Sequence, residues 1–202
     1  MVCAGVLLTA LVGGGGSGTP QATVGHAADD TSPCPECVDE SDPGALQTPR
    51  PPSTPVRLQV PDIKVDTPLE VVSTDPAGRI GAPPLQRAQT AAWFNGSVMP
   101  GSAGSGVIVG HVDDAHARGV FFRLSELKPG QRILVGRADG TTAAFEVQSR
   151  QYVSKTRFPT TRVMQTGAEA GLRLITCAPP FDQRNHQYLS NLIIYAHLVA
   201  WT

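Results

Sequence analysis

The sequence lacks any imbalance of charge. Its 202 residues hold 16 Lys and Arg against 17 Asp and Glu, a formal net charge of -1. A nucleic-acid partner would leave a strongly basic footprint, so none is expected. The chain also lacks an apolar run long enough to cross a bilayer, which takes roughly 20 residues. Carboxylates with calcium-loop spacing are missing too; Asp113-Asp114 alone are too few to hold the ion. No internal repeat stands out. No metal and no cofactor are expected. Cysteine is scarce, with four in all, and Cys177 is the only one after residue 37.

Glycine and proline are plentiful, at 21 and 18 residues, while charged residues make up only 16% against 41% hydrophobic. That balance suits a loop-rich β domain better than a helical bundle. Residues 1–12 (MVCAGVLLTALV) are nearly all apolar and four glycines follow. Segment 1–16 therefore reads as a short signal or anchor, although it lacks the basic flank of a signal peptide. A true start further upstream would account for that. The expected location is the outer face of the cell membrane, or outside the cell.

Residues 17–55 are rich in Gly, Pro, Ser, Thr and Asp and poor in large apolar side chains. Such a segment buries too little surface to offset its ordering entropy. The run Thr48-Pro49-Arg50-Pro51-Pro52-Ser53-Thr54-Pro55 favours extended conformations. The segment reads as a linker. Within it, Cys34-Pro35-Glu36-Cys37 has neither the strand before it nor the helix after it that a thioredoxin-type motif needs. A zinc site would want a second ligand pair. The two are read as a small disulfide loop or as incidental thiols.

Residues 56–202 should form one folded, mainly β domain. β-type runs recur at 56–60, 65–72, 106–111, 132–135, 143–153, 172–177 and 191–199. Turn signals such as Asp75-Pro76-Ala77-Gly78, Pro129-Gly130 and Asp139-Gly140 separate them. Only 119–127 (GVFFRLSEL) reads as a short helix. Many short strands with little helix suggest a barrel or a sandwich.

Two residues stand at strand mouths. The run Leu172-Arg173-Leu174-Ile175-Thr176 delivers Cys177, and the strand is expected to break at Ala178-Pro179-Pro180. Val107-Ile108-Val109-Gly110 delivers His111, on the face of Val107 and Val109. A histidine with an ordinary pKa near 6.5 activates a thiol whose own lies near 8.5, because a neighbouring imidazolium favours the thiolate. A buried structural thiol and a hydrogen-bonded core histidine are the plain alternatives. Of the other histidines, His26 lies in the linker, His116 in a polar loop, His186 after Cys177 and His197 within the last strand.

Gly110-His111-Val112-Asp113 and, 66 residues after the histidine, Leu174-Ile175-Thr176-Cys177 resemble the sortases, cysteine transpeptidases of bacterial surfaces. Val60-Pro61-Asp62-Ile63, Trp93-Phe94, Gly119-Val120-Phe121-Phe122-Arg123-Leu124, Phe158-Pro159-Thr160 and Asn191-Leu192-Ile193-Ile194-Tyr195-Ala196 fit the same pattern. The likeness covers 56–202 and is greatest to the actinobacterial class F (E/F-like) members. It implies a closed eight-stranded β-barrel with short helices. It further implies that Cys177 attacks the carbonyl after threonine in an LPXTG-like sorting signal of a surface protein. A thioacyl enzyme would then pass to an amine of a peptidoglycan precursor. His111 would protonate the leaving amine and deprotonate the incoming one.

The resemblance also calls for an arginine about nine residues after the cysteine, to hold substrate and stabilise the oxyanion. His186 stands there, and Arg184 is the only arginine after Cys177. Either side chain is a candidate, though histidine offers no bidentate fork. Where relatives often have glycines, Pro179 and Pro180 remove two backbone donors. A barrel that binds sorting signals with little turnover, or a cysteine hydrolase, are the competing readings.

Overall fold

A computed structural model describes residues 47–114 and 117–202. The apolar segment 1–16, most of the expected linker, Cys34, Cys37, His26 and His116 lie outside the described residues. Eight strands form a closed barrel: β1 (Pro55–Val60), β2 (Val65–Val72), β3 (Ala91–Phe94), β4 (Gly104–Val109), β5 (Arg132–Arg137), β6 (Thr142–Ser154), β7 (Ala170–Asp182) and β8 (Gln187–Trp201). Around the barrel they run β1-β2-β3-β4-β7-β8-β6-β5 and back to β1. Two pairs, β2–β3 and β4–β7, are parallel. The mainly β, closed eight-stranded architecture expected from the sequence is the one observed.

Alternation along the strands sorts side chains into two cores. Ile108, Leu172, Leu174, Leu192 and Ile194 point inward with Phe145, Phe121 and Leu58. Their neighbours Val107, Val109, Ile175, Ile193 and Tyr195 point outward into a second cluster with Phe94, Ile80 and Val163. Every residue of β4 is therefore buried, which explains its unbroken apolar pattern. The outer cluster is roofed by the β2–β3 connection, which brings Ile80, and by the β6–β7 connection. The latter carries the single-turn helix α1 (Thr160–Val163).

Three local expectations change. The stretch 119–127 is not a continuous helix; turns lead into one short 3-10 turn, Leu124–Glu126. Phe121 and Leu124 are fully buried there, so tertiary packing rather than helical periodicity sets the backbone. β3 was hidden because four residues, all buried, leave no alternation to read. The cysteine strand does not break at Ala178-Pro179-Pro180 but continues to Asp182. Its pairing with β8 shifts register by one residue between Ala178 and Phe181. The prolines fall inside that irregularity, where missing N–H donors leave no ladder bond unmade.

The end of the expected linker is tied to the barrel. The Arg50 N–H donates to the Gly101 carbonyl, and Trp201 Nε1 donates to the Thr48 carbonyl at 3.1 Å. Arg137 donates to the carbonyl of Pro51.

Candidate active site

β4 and β7 run side by side in parallel, with Val107 opposite Arg173 and Val109 opposite Ile175. The pairing outlasts β4: the Gly110 N–H donates to the Ile175 carbonyl at 3.2 Å. Thr176 Oγ1 donates to the Gly110 carbonyl at 2.9 Å. Carried two residues further, this register sets His111 beside Cys177, on strands spaced about 4.8 Å apart. Both continue the outward stripes of Val109 and Ile175. The structure thus brings together two residues that the sequence holds 66 positions apart. Both are almost inaccessible, each at 3% exposure.

His111 is held by its ring. Its Nε2 lies 2.6 Å from the carbonyl oxygen of Pro83. A carbonyl only accepts, so Nε2 carries the proton and donates. That leaves Nδ1 as the ring position able to take up and release a proton. Pro83 lies in Ala82-Pro83-Pro84, where fixed φ angles stiffen the backbone that presents this oxygen.

Glycines frame the histidine. A Cβ on Gly119 would sit 2.2 Å from the His111 carbonyl oxygen and 2.9 Å from its Cβ. The close approach lets the Phe121 N–H donate to that same carbonyl at 2.9 Å. A Cβ on Gly110 would meet Val120 at 2.6 Å and Phe121 at 2.7 Å. Gly119→Ala is expected to push the His111 loop aside. Since displacement by about 1 Å can cost about 10²-fold in rate, kcat/KM should fall by that order. A steady-state assay alongside circular dichroism checks it; an alanine variant with wild-type kinetics would contradict this role.

Cys177 Sγ takes part in a disulfide bond. The three other cysteines of the chain, Cys3, Cys34 and Cys37, lie outside the described residues. Nucleophilic chemistry at Cys177 therefore requires its reduction first, because the thiolate is the nucleophile.

Directly across the β7–β8 ladder from Cys177 stands Asn191. It is 3% exposed, and its Nδ2 is buried with no acceptor among the described residues. Opposed residues of an antiparallel pair share a face, with Cβ atoms about 4.5–5.5 Å apart. An amide donor with no acceptor among the described residues thus sits across the ladder from the Cys177 sulfur. The sequence signal was present but easily missed: Asn191 is a polar residue directly before the apolar run Leu192-Ile193-Ile194.

Arg184 and His186 occupy the turn between β7 and β8, and both are exposed. Five residues of strand separate Cys177 from Asp182 at the head of that turn, about 16 Å if extended. The turn is built by Asp182, whose Oδ1 accepts from the Arg184 and Asn185 N–H groups. His186 takes a left-handed φ of 50°.

A latch joins the histidine loop to this hairpin. The Tyr188 hydroxyl donates to Asp113 Oδ2 at 2.6 Å, and Phe181 packs edge-on against the Tyr188 ring. Burial, then the bond to Asp113 and its charge, pushes the Tyr188 phenol up to about 12. Its folded pKa lies above the ordinary value of 10. The latch therefore contributes fully below pH 10 and is lost as pH rises through about 12. In an alkaline absorbance titration, the difference between wild type and Tyr188→Phe should be a phenol ionising near 12. A difference centred near 10 would show that the latch does not form. Among the described residues, no group of three or more His, Cys, Asp or Glu is placed to hold a metal ion.

The closed eight-stranded barrel carries Cys177 and His111 on adjoining outward stripes. Residues 58–199 match the family described as "Sortase domain", and the chain belongs to the sortase family. Solved structures agree on the fold. Group B Streptococcus Pilus Island 1 Sortase C2 is 23% identical over 72% of this chain and 73% of that one, with a TM-score of 0.53. Sortase A from Corynebacterium diphtheriae is 23% identical over 75% of this chain and 63% of its own length, with a TM-score of 0.53. Listeria monocytogenes sortase A is 15% identical over 74% and 89%, with a TM-score of 0.55. No curated protein matches the sequence.

Proposed function

We propose that this chain is a sortase of the actinobacterial class E/F type that cleaves an LPXTG-like sorting signal after threonine. It then transfers the surface protein to a cell-wall amine. One observation carries the reading: the parallel register of β4 and β7, extended past the end of β4, sets His111 beside Cys177 on one outward face. The reduced Cys177 thiolate attacks the threonine carbonyl. The C–N bond breaks and a thioacyl Cys177 forms. His111 gives the proton on Nδ1 to the departing amine and takes one from the incoming amine. Splitting one hard amide exchange into two steps lowers the barrier to each.

Asn191 Nδ2 is the buried donor available to the oxyanion, while Arg184 or His186, from the hairpin turn, engages the substrate. Removing a single oxyanion donor typically costs 10²–10³-fold in kcat. Asn191→Ala is accordingly expected to lower kcat by about 10²-fold with KM little changed. A variant with unaltered kcat would remove Asn191 from the reaction. Segment 1–16 and the residues after it would hold the barrel at the outer face of the membrane, where sorting signals and wall precursors meet.

The test is direct. The full chain, reduced, is incubated with LPXTG-type peptides and weighed intact. An acyl adduct on Cys177 is expected. A folded, reduced protein that forms none refutes the assignment for those peptides. Added glycine-type amines should then release a ligated product rather than a hydrolysed one.

A further inference from the structure

Cys177, Ile175, Arg173 and Gly171 share one outward stripe of β7. Arg173 lies about 13 Å from Cys177 by strand rise. There, past the outer apolar cluster, a cavity of about 300 Å³ opens between the starts of β4 and β7, the loop 165–170 and β8. Its polar lining includes Ser105, Gln148, Gln165, Glu169, Arg173 and His197.

Arg173 is the unusual member. It is only 5% exposed, yet no carboxylate among the described residues pairs with it. Nη1 donates to the carbonyls of Leu172 at 3.0 Å and Ala196 at 3.3 Å. Nη2 donates to Gln165 Oε1 at 3.3 Å. Among the described residues Nε–H is buried with no acceptor, and Nδ1 of His197 on the same cavity is buried with no partner. The guanidinium carbon lies 4.9 Å from the Tyr195 ring, which Arg162 also overlies at 4.2 Å. The charge is thus fixed by packing and left without a counter-ion. Burial lowers its pKa, and Arg162 adds repulsion. The exposed Glu169 on the rim is the one acidic group lining the cavity.

On a guanidinium, Nε–H and one Nη2–H point the same way. That edge matches two oxygens of a carboxylate or phosphate through parallel hydrogen bonds. Here half of the edge is empty, and the other half rests on a neutral amide at the long distance of 3.3 Å. Gln165 comes from an exposed loop ahead of Thr166-Gly167, so its side chain has room to turn away. We propose that this cavity binds a small molecule bearing a carboxylate or phosphate group. Its oxygens take the Nε–H and Nη2–H edge of Arg173 and displace Gln165 Oε1. The site is separate from the Cys177–His111 pair and does not rest on the catalytic reading.

The full chain is titrated with acetate, succinate and inorganic phosphate in a buffer otherwise free of oxyanions, by calorimetry and by melting temperature. Saturable binding of at least one is expected, and the arms decide between carboxylate and phosphate. Arg173→Gln should weaken it at least tenfold. Should that variant not fold, Gln165→Glu serves instead, since it supplies a carboxylate from within the chain. Binding should then be lost while the melting temperature rises. No saturable binding to the wild type, or a folded Arg173→Gln or Gln165→Glu that binds equally well, overturns the proposal.

Discussion

Replacing Cys177 by alanine is expected to reduce turnover of an LPXTG-type peptide to background, a loss of roughly 10⁴-fold or more. The expectation follows from position as much as from chemistry. Cys177 is buried at 3% exposure on the outward stripe of β7, where the β4–β7 register, extended by two residues, meets His111. No other cysteine lies among the described residues to take its place. Wild type and variant should be compared in reductant, so that neither carries the Cys177 disulfide. Their far-ultraviolet spectra should coincide, because alanine suits a buried strand position and removes only one sulfur. An alanine variant that still turned the peptide over would move the nucleophile elsewhere and end the transpeptidase reading.

The second large effect is at His111. His111→Ala should lower kcat/KM by about 10²–10⁴-fold, the usual contribution of a positioned acid–base group. Nε2 is committed to the Pro83 carbonyl at 2.6 Å, so the two ring nitrogens are not equivalent. His111→Asn keeps a donor for Pro83 but offers no basic nitrogen. It should recover stability lost in the alanine variant without recovering rate. That split separates a proton carrier from a histidine that merely fills a core. If His111→Asn restores turnover, the residue is structural.

Much of the barrel was legible because period-two patterning is strong where one face of a strand meets the core. β1, β2, β5 and β6 declare themselves in that way. β4 and the first part of β7 were legible for another reason, as largely apolar runs leading to His111 and Cys177. What could not be read were elements decided by distant partners. β3 is four residues long and exists because Val71 and Ile108 flank Trp93 on either side. The stretch 119–127 carries helical residues, yet Phe121 and Leu124 must reach the barrel interior, and this fixes a series of turns instead.

The site shows the same division. Cys177 and His111 were singled out from motif and spacing. Asn191 gained meaning only from the β7–β8 register, which no local pattern reveals. The expected arginine illustrates the reverse. Counting nine residues from Cys177 assumes a loop, whereas β7 continues for five residues more. The count therefore ends in the exposed turn, at Arg184 and His186.

The parallel pairing of β4 with β7 also governs when His111 and Cys177 can come together. β7 lies between β4 and β8 in the barrel, while β5 and β6 intervene in sequence. A chain emerging from the ribosome presents His111 long before Cys177. Cys177 in turn lacks its β8 neighbour until the last residues are made. Such non-local pairings form late, after their loop-closure entropy has been met. A nascent or C-terminally truncated chain should thus hold a histidine loop with no thiol beside it. The juxtaposition of the two residues arrives with the final strand rather than accumulating along the chain.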